Sequence, residues 1–253
     1  MKEIKKHATF SASGSKRWLS CPASVKLEEQ APEQDESPWA VEGTRAHDFL
    51  ETWLNKLKTN SFAMPPVELI KDREMFKAVK IAAEWVLENW NREYEELLIE
   101  EKVSLDFIRD DMFGTCDIAL VDEFGILKVF DYKHGAGQIV NVIEHNEASK
   151  TRLNTQLVYY ALGMAAKYNF NFSMVEIGII QPRADHKEGP IRSETLTIQE
   201  LKSYIEVFSR GVKNAMKPNP SFVVGSWCYW CKARQICPKQ EQMKIEKLNE
   251  FFD

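Results

Sequence analysis

The stretch that decides the fold is Phe113 to Gly137, which reads FGTCDIALVDEFGILKVFDYKHGAG. It predicts two antiparallel strands, Gly114 to Val121 and Gly125 to Lys133, which are rich in Ile, Leu, Val and Phe, as a mostly buried sheet requires. The turn between them, Asp122 to Gly125, ends in a glycine, which accepts the positive φ that tight hairpins need. The stretch therefore predicts a buried hairpin at the centre of the chain.

Charged side chains interrupt this hairpin at one end. Asp117 lies near the start of the first strand, and Asp131-Tyr132-Lys133 ends the second. The two ends lie side by side, and Asp131 and Lys133, two residues apart, project from the same face. A carboxylate in an apolar strand is costly unless it is paired or bound to a metal, and carboxylates suit Mg²⁺ or Mn²⁺. The pattern favours a metal site beside a lysine; the alternative is an Asp131–Lys133 ion pair with Asp117 capping a turn.

Composition limits the classes of protein to consider. The chain has 253 residues, of which 44% are hydrophobic and 28% charged, so it is long enough for one large domain or a domain with an appendage. The net charge of −5 excludes the strongly basic signature of general nucleic-acid binders. Any contact with DNA would therefore need a local basic patch on an acidic background.

The sequence also indicates where the protein works. No apolar run approaches the roughly 20 residues of a membrane span. The first ten residues, MKEIKKHATF, contain basic residues but no apolar core of a signal peptide. We therefore expect a cytoplasmic protein with no membrane partner.

Helical and strand patterns surround the hairpin. Before it we predict a short helix capped within Ser11–Ser15 and ended by Cys21-Pro22, a loop at Glu28–Pro38, a helix from about Ala40 that carries His47, a helix at Asp72–Leu97 and a strand at Leu98–Leu105. After it we predict a strand at Gln138–Ile143, a helix at Ser149–Tyr168, strands at Met174–Pro182 and Ile191–Leu196, and a Thr-capped helix at Ile198–Met216. The order helix, three strands, helix, strand predicts a mixed α/β fold.

Five cysteines form a second signal. Three of them, Cys228, Cys231 and Cys237, follow a C-x2-C-x5-C pattern, which in a cytosolic chain indicates metal or cluster ligation more often than free thiols. Cys21 is the candidate fourth ligand, because it precedes a proline just as Cys237 does. Cys116 adjoins Asp117 in a strand and is expected to point to the core. Four cysteines hold either Zn²⁺ or a [4Fe–4S] cluster, and spacing does not decide between them.

Several weak motifs occur together in one order. They are His47 on a helix, Gly114-x-x-Asp117, Asp131-x-Lys133 and Gln156-x-x-x-Tyr160. This series resembles that of the RecB-type PD-(D/E)XK nucleases, and the cysteines on either side of it resemble the iron–sulfur branch, which includes the AddB nuclease domain and CRISPR-associated adaptation nucleases. The runs from Ser11 to Pro22 and Glu42-Gly-Thr-x-x-His47 look like a phage- and prophage-encoded family of stand-alone members.

The resemblance implies a fold and an activity. The expected fold is one nuclease domain over residues 1–253, with a mixed central sheet flanked by helices and with 11–38 and 221–253 as a periphery that carries the cluster. The expected activity is Mg²⁺- or Mn²⁺-dependent hydrolysis of DNA, as an exonuclease on single-stranded or end-bearing substrates in phage recombination or processing. No P-loop GxxxxGK[ST] occurs, so the chain differs from helicase-fused members and would work alone or with a separate helicase or recombination protein.

The resemblance also implies residue roles. His47, Asp117, Asp131 and the backbone carbonyl of Tyr132 would bind the metal, and Lys133 would orient or deprotonate the attacking water. The upstream glutamate is Glu100 or Glu101, and we prefer Glu100. The ligands of the [4Fe–4S] cluster, or of Zn²⁺ as the alternative, would be Cys21, Cys228, Cys231 and Cys237. By itself, a lone histidine such as His47 is also typical of a satisfied core or surface position.

Contacts to nucleic acid are a further expectation. Gln156 and Tyr160 would position the strand. The candidates for phosphate contacts are Lys16, Arg17, Lys150, Arg152, Lys232 and Arg234. Four aromatic residues either stack on unpaired bases or pack round the cluster: Trp18, Trp227, Tyr229 and Trp230. The alternative function is a non-catalytic nucleic-acid-binding or assembly protein that keeps the nuclease fold.

Overall fold

The structure is a computed structural model that describes residues 8–32, 35–122, 124–148 and 150–242. Two positions named in the sequence analysis lie outside the described residues: Glu123 of the hairpin turn and Ser149 at the predicted start of a helix. The outermost parts of the predicted domain, residues 1–7 and 243–253, also lie outside them. No helix in the described part of the chain is long and apolar enough to cross a membrane.

One five-stranded sheet forms the centre of the molecule, with the order β1-β2-β3-β6-β7. A second, two-stranded sheet pairs β4 with β5. The strands are β1 Glu95–Ser104, β2 Phe113–Asp122, β3 Ile126–Tyr132, β4 Ile143–Asn146, β5 Thr151–Leu153, β6 Met174–Ile180 and β7 Ile191–Thr197. The β2–β3 hairpin lies in the middle and is antiparallel, with Leu120 opposite Lys128. β3 and β6 run parallel, whereas β1 and β7 are antiparallel edge strands, so the sheet is mixed.

Helices cover both faces of this sheet. They are α1 Ser15–Ser20, α2 Ser24–Glu28, α3 Pro38–Thr59, α4 Val67–Lys71, α5 Arg73–Asn89, α6 Thr155–Lys167 and α7 Ile198–Ala215. One apolar core joins α1, α6 and α7 to the sheet through residues such as Ala119 and Val129. The other joins α3, α4 and α5 to it through residues such as Leu120 and Phe130. This arrangement confirms the predicted class, a mixed α/β fold with a central sheet flanked by helices.

The alternation of the hairpin explains why both faces are covered. Neighbouring strand residues project to opposite faces, and most positions of β2 and β3 are apolar. Gly125 in the turn has φ +92°, the positive value expected there. At the other end, a Cβ on Gly114 would lie 3.2 Å from a ring carbon of Tyr160, so a glycine lets α6 approach the sheet where the polar residues lie.

The helix predicted at Asp72–Leu97 is too long. α5 ends at Asn89, eight residues before the predicted end of the helix, and β1 begins at Glu95. Helical spacing of aromatics continues to Tyr94, but Leu97 packs on one face of the sheet and Leu98 on the other, as only a strand allows. The indole of Trp90 donates to the carbonyl of Glu95 and fixes the change of direction.

The segment between β3 and α6 also differs from the prediction. No strand covers residues 138–142; β4 begins at Ile143, the last residue of the predicted strand, and forms a small hairpin with β5. The helix α6 begins at Thr155, capped by Asn154. Val140 has its backbone groups bound by side chains of Gln181 and Arg192 rather than by another strand. The polar groups of this loop are thus satisfied without a sheet.

The helix caps follow the sequence only in part. Thr197 and Glu200 form a complete capping box at α7, as the Thr cap predicted. At α1 the N-cap is Gly14 and no side chain caps the helix; Ser11 Oγ instead accepts from the Gly14 amide. The short helix α2 begins four residues before the loop predicted at Glu28–Pro38.

Candidate active site

Three acidic or imidazole side chains meet at one end of the central sheet. α3 supplies His47, β1 supplies Glu100 and β2 supplies Asp117. His47 Nδ1 lies 3.6 Å from Glu100 Oε1 and 3.6 Å from Asp117 Oδ2. Within the described part of the chain, this is the group whose potential ligand atoms all lie within 4.8 Å of one another. A nitrogen and two carboxylates at that spacing are a plausible donor set for Mg²⁺ or Mn²⁺.

Glu100 is held in an unusual backbone conformation. Its φ is +48°, in the left-handed region that a non-glycine residue seldom occupies within a strand. The flanking pairs Ile99–Ile118 and Glu101–Cys116 place it opposite Asp117. The twist directs Glu100 toward His47, while Glu101 forms an ion pair with Lys167 on α6. The structure therefore brings Glu100, rather than Glu101, into the site, at a backbone cost that is common at functional positions.

A second polar group continues the site along β3 and α6. Lys133 Nζ lies 2.8 Å from Asp131 Oδ2 and donates to Gln156 Oε1 at 3.2 Å. Gln156 Nε2 donates to Asp131 Oδ1 at 3.1 Å and to the Tyr160 hydroxyl at 3.0 Å. The ion pair that the sequence offered as an alternative does form, but Asp117 does not cap a turn. Its Oδ2 accepts from the amide of Tyr132 at 2.7 Å.

Burial and like charge set the electrostatics of the site. Desolvation, followed by the nearby charge of Asp131, raises the pKa of Asp117 to about 7. Desolvation lowers the pKa of His47, but Glu100, Asp117 and Asp131 outweigh it, so this pKa lies above its ordinary value. Burial likewise opposes the charge of Lys133, yet Asp131 and Asp117 raise its pKa. The site thus concentrates negative charge, which a divalent cation would offset.

Behind the site lies a polar network that the sequence analysis did not predict. The Tyr132 hydroxyl is 2.9 Å from His134 Nδ1, and His134 Nε2 is 3.4 Å from Glu42 Oε1. Arg183 donates to the same oxygen of Glu42 at 2.9 Å. Glu42 lies in the first turns of α3, so the network ties the helix of His47 to the end of β3. Its sequence signals were weak: a histidine directly after Lys133 and a glutamate in the Glu42-Gly-Thr-x-x-His47 run.

The loop after Lys133 is held by two buried polar side chains that the sequence analysis also missed. Gln181 is 1% exposed and donates to the carbonyls of Gly135, at 3.0 Å, and Gln138, at 2.7 Å. Its Oε1 accepts from the Val140 amide and from Arg192. Arg192 is 5% exposed and also donates to the Val140 carbonyl. A glutamine directly after the buried run of β6 was the only signal.

The predicted nucleic-acid contacts divide into two groups. Gln156 and Tyr160 lie inside the site and contact its other residues, as described above. Lys16 pairs with Glu144 at 3.2 Å and Arg17 with Glu28 at 2.8 Å, so both charges are partly offset within the chain. For these four residues a contact with nucleic acid remains a prediction.

The four candidate ligand cysteines line one cavity. It lies between the segment after α1 and the two 3₁₀ turns Ser226–Trp230 and Arg234–Ile236, and it includes Cys21, Cys228, Cys231 and Cys237. Cys21 Sγ accepts from the Val223 amide at 3.4 Å. Burial raises the pKa of Cys21 and, with the charge of Glu28, that of Cys231 to about 12.

Cys116 lies apart from this cavity. It is fully buried in the core on the sheet, where its thiol donates to the Ile118 carbonyl, and burial raises its pKa. The expectation that it points to the core is correct.

Sequence and structure comparisons place the chain as follows. A family model described as "Protein of unknown function (DUF2800)" matches residues 7–252. The chain belongs to the DUF2800 family. No curated protein matches it in sequence.

Solved structures resemble this DUF2800 member only distantly. A provisionally named exonuclease from Eubacterium rectale has 12% identity and a TM-score of 0.47 and covers 87% of this chain and 86% of its own. The protein SSO0001 has 13% identity and a TM-score of 0.37, with 93% and 88% covered. At these scores neither protein informs the function, which we argue from the site itself.

Proposed function

We propose that the chain is a metal-dependent nuclease that hydrolyses phosphodiester bonds of DNA. The observation that carries this proposal is the meeting of His47, Glu100 and Asp117 beside a lysine that Asp131 and Gln156 hold in place. The order of these residues along the chain is that of the RecB-type PD-(D/E)XK nucleases, which supports the same conclusion.

The residues present fit a divalent cation. Potential ligand atoms of two carboxylates and an imidazole lie within 4.8 Å of one another. Burial, and then the charge of Asp131, raise the pKa of Asp117, so a cation beside it would stabilise its ionised form. His47, Glu100 and Asp117 would hold the ion. Asp131 and the carbonyl of Tyr132 are further proposed ligands, and Asp131 would first have to release Lys133 or Gln156. When bound, Mg²⁺ or Mn²⁺ would activate water and offset phosphate charge.

The chain's own groups have separate tasks in this proposal. Burial lowers the pKa of Lys133, but Asp131 and Asp117 outweigh it and raise this pKa. In the proposal Lys133 orients or deprotonates the attacking water and stabilises the phosphate oxygens. Gln156 uses both ends of its amide, accepting from Lys133 and donating to Asp131, and so holds this ion pair in a fixed geometry. The Tyr132 amide orients Asp117 toward His47.

For the cysteine cavity we propose a [4Fe–4S] cluster rather than zinc. The four cysteines line one cavity, so they can share one bound group. Four cysteines suit either group, and the resemblance to the iron–sulfur branch of the nucleases favours the cluster. Zn²⁺ remains the alternative that metal analysis would identify.

The finer proposals rest on the family resemblance. They are exonuclease action on single-stranded or end-bearing DNA, a place in phage or prophage recombination, a cytoplasmic location, and a separate helicase or recombination protein as partner. One single domain over residues 1–253, with 11–38 and 221–253 around the cluster, belongs to the same proposal.

The test is a cleavage assay with anaerobically purified full-length protein. End-labelled single- and double-stranded DNA are incubated with Mg²⁺, Mn²⁺ or EDTA, and Asp117→Asn is compared with Asp48→Asn, an exposed neighbour of His47. We expect cleavage only with the cation, lost in Asp117→Asn and kept in Asp48→Asn. DNA binding and metal binding without any cleavage would favour the non-catalytic alternative.

A further inference from the structure

The four aromatic residues named in the sequence analysis have different surroundings in the structure. Trp18 is 3% exposed in the core, and the Trp227 indole donates to the Val223 carbonyl at 2.9 Å. Tyr229 and Trp230 are instead 56% and 62% exposed. Trp18 and Trp227 therefore make contacts within the protein, whereas Tyr229 and Trp230 expose ring surface on which a base can stack.

Tyr229 and Trp230 form one exposed unit. Their ring centroids are 4.7 Å apart and their planes cross at 81°. Both lie between Cys228 and Cys231, in a 3₁₀ turn that keeps the chain short and stiff. Large aromatic rings exposed side by side are costly in water, so this pair, which we call the aromatic shelf, is suited to cover an apolar partner.

The aromatic shelf is joined to the loop of the candidate active site. The Trp230 indole donates to Gln138 Oε1 at 3.2 Å, and Gln138 lies five residues after Lys133. The backbone of Gln138 is fixed by Gln181, whose single amide nitrogen also binds the carbonyl of Gly135. Five extended residues span at most about 18 Å, which limits the backbone distance between Lys133 and Gln138, the residue that Trp230 contacts.

The segment that carries the aromatic shelf is basic in sequence, and one carboxylate of another segment, Glu28, accepts from its Lys232 amide at 2.9 Å. From Gly225 to Gln240 the sequence contains three basic residues and no acidic one, within a chain whose net charge is −5. These residues are Lys232, Arg234 and Lys239. Aromatic rings beside basic side chains are the combination with which proteins bind unpaired nucleotides, since every base has a face to stack.

We propose that Tyr229 and Trp230 stack the unpaired bases of a single strand as that strand leads to Lys133. This inference rests on the proposed nuclease function, because it names the substrate form that the same site receives. A base pair in a duplex already has its faces stacked and would not use the shelf. The proposal therefore predicts preference for single strands over blunt duplexes.

The experiment compares the double variant Tyr229→Ala/Trp230→Ala with Phe62→Ala, an exposed aromatic elsewhere on the chain. The probes are a 20-nucleotide single strand with internal 2-aminopurine, as DNA and as RNA, and a blunt 20-base-pair duplex, all measured in EDTA. We expect the double variant to bind the single strand at least about tenfold more weakly and to lose 2-aminopurine quenching. Duplex binding and the Phe62→Ala variant should change little.

Two controls keep the result decisive. Iron or zinc content and melting temperature report whether the double variant still holds its cysteine site. The variant Tyr229→Phe/Trp230→Phe, which keeps an aromatic ring at each position but loses the indole donor to Gln138, should restore quenching. Hydrolysis of thymidine 5′-(p-nitrophenyl phosphate) with Mn²⁺, a substrate too short to span the distance, tests the nuclease separately. If the double variant binds the single strand as tightly as wild type and the ester is hydrolysed, the stacking role of the shelf is refuted and the nuclease proposal is kept. Shelf-dependent binding with hydrolysis of neither this ester nor the single strand in Mn²⁺ overturns the nuclease and leaves the shelf.

Discussion

The sheet-end site and the cysteine region differ in how they are held. His47, Asp117 and Asp131 extend from long elements with apolar cores on both sides, and their contacts are made within the protein. Of the four candidate ligand cysteines, Cys21 is buried directly after α1, whereas the other three are half-buried in or directly after the short 3₁₀ turns. Packing positions the first site, whereas in our proposal the second is held by the cluster that the sulfurs bind. Removing one ligand should therefore have opposite consequences in the two regions: loss of activity in one and loss of structure in the other.

The largest expected effect is that of Cys21→Ser on stability. A group bound by Cys21 and by the three late cysteines closes a loop of about 200 residues, and chain-entropy reasoning gives on the order of 5 kcal/mol for such a closure, an upper figure taken from disulfides. We expect the wild-type protein to be brown, with broad absorbance at about 400 nm. The Cys21→Ser variant should lose this colour, and its melting temperature should be much lower than that of wild type.

Cys116→Ser is the matched control, because Cys116 lies in the core and not in the cavity. It should keep the colour. A Cys21→Ser protein that remains brown and stable would contradict the tie between the two ends of the chain. A colourless wild-type protein with one bound zinc would keep the tie and refute the iron–sulfur proposal.

The next largest effect concerns catalysis. Lys133→Met should lower the cleavage rate a few hundred-fold or more, because the donor that stabilises the phosphate is lost. Lys128→Met is the control, because Lys128 lies on β3, the strand that Lys133 directly follows, but pairs with Glu95. Both variants should keep the absorbance of the cysteine site. Equal rates for Lys133→Met and wild type would refute the role of Lys133.

Much of the sheet-end site could be predicted from sequence, because strand geometry is regular. Two-residue spacing places Asp131 and Lys133 on one face, and the apolar hairpin makes its charged residues conspicuous. The left-handed twist at Glu100 could not be predicted, since no sequence pattern marks a non-glycine residue at φ +48°. Strand alternation led us to prefer Glu100 over Glu101 from the sequence, whereas in the structure a local distortion of the backbone brings Glu100 into the site.

The loop after Lys133 was predicted least well. Its polar groups are satisfied by Gln181 and Arg192, which lie more than 40 residues later in the chain. Hydrogen bonds over such separations leave no periodic signal. The end of α5 was predicted wrongly for another reason. Aromatic residues at helical spacing continue to Tyr94, and only the burial of Leu97 and Leu98 on opposite faces of the sheet reveals the strand.

A smaller effect distinguishes the two neighbouring glutamates. Glu100→Gln should raise the Mn²⁺ concentration needed for half-maximal cleavage, because Glu100 is one of the three proposed ligands. Glu101→Gln removes only the partly exposed pair with Lys167 and should change neither the metal requirement nor, by more than a few tenths of a kcal/mol, the stability. A metal titration of both variants separates them. Equal shifts would mean that the twist at Glu100 has another purpose.

His47→Ala should also raise the Mn²⁺ requirement. As a neutral imidazole ligand His47 must lose its proton, and its neighbours raise its pKa, so metal affinity should weaken as pH falls toward and below about 6.5. Titrations at several pH values measure this dependence, and it should be reduced in His47→Ala. If the metal requirement of the variant equals that of wild type, His47 is a core histidine.

The smallest expected effect is on the stability of the metal-free protein as pH changes. The pKa of Asp117 is about 7 in the folded state and about 3.9 when unfolded, so between these values the folded state binds the extra proton. Its contribution to stability is therefore lost as pH rises from about 4 to about 7. His47 acts in the same direction, because its folded pKa is also raised. Asp117→Asn removes the first contribution.

The melting temperature of Asp117→Asn relative to wild type should thus increase with pH in EDTA, by a few degrees at neutral pH. Mg²⁺ or Mn²⁺ should narrow the difference, because the cation stabilises only the wild-type carboxylate. Asp48→Asn, on the exposed side of α3, should show no such trend. A difference in melting temperature that stays constant from pH 4 to pH 8 would mean that burial and the charge of Asp131 do not raise the pKa of Asp117. The charge that we take to attract the cation would then be offset within the protein, and the sheet-end site would, like the core around it, be complete without a ligand.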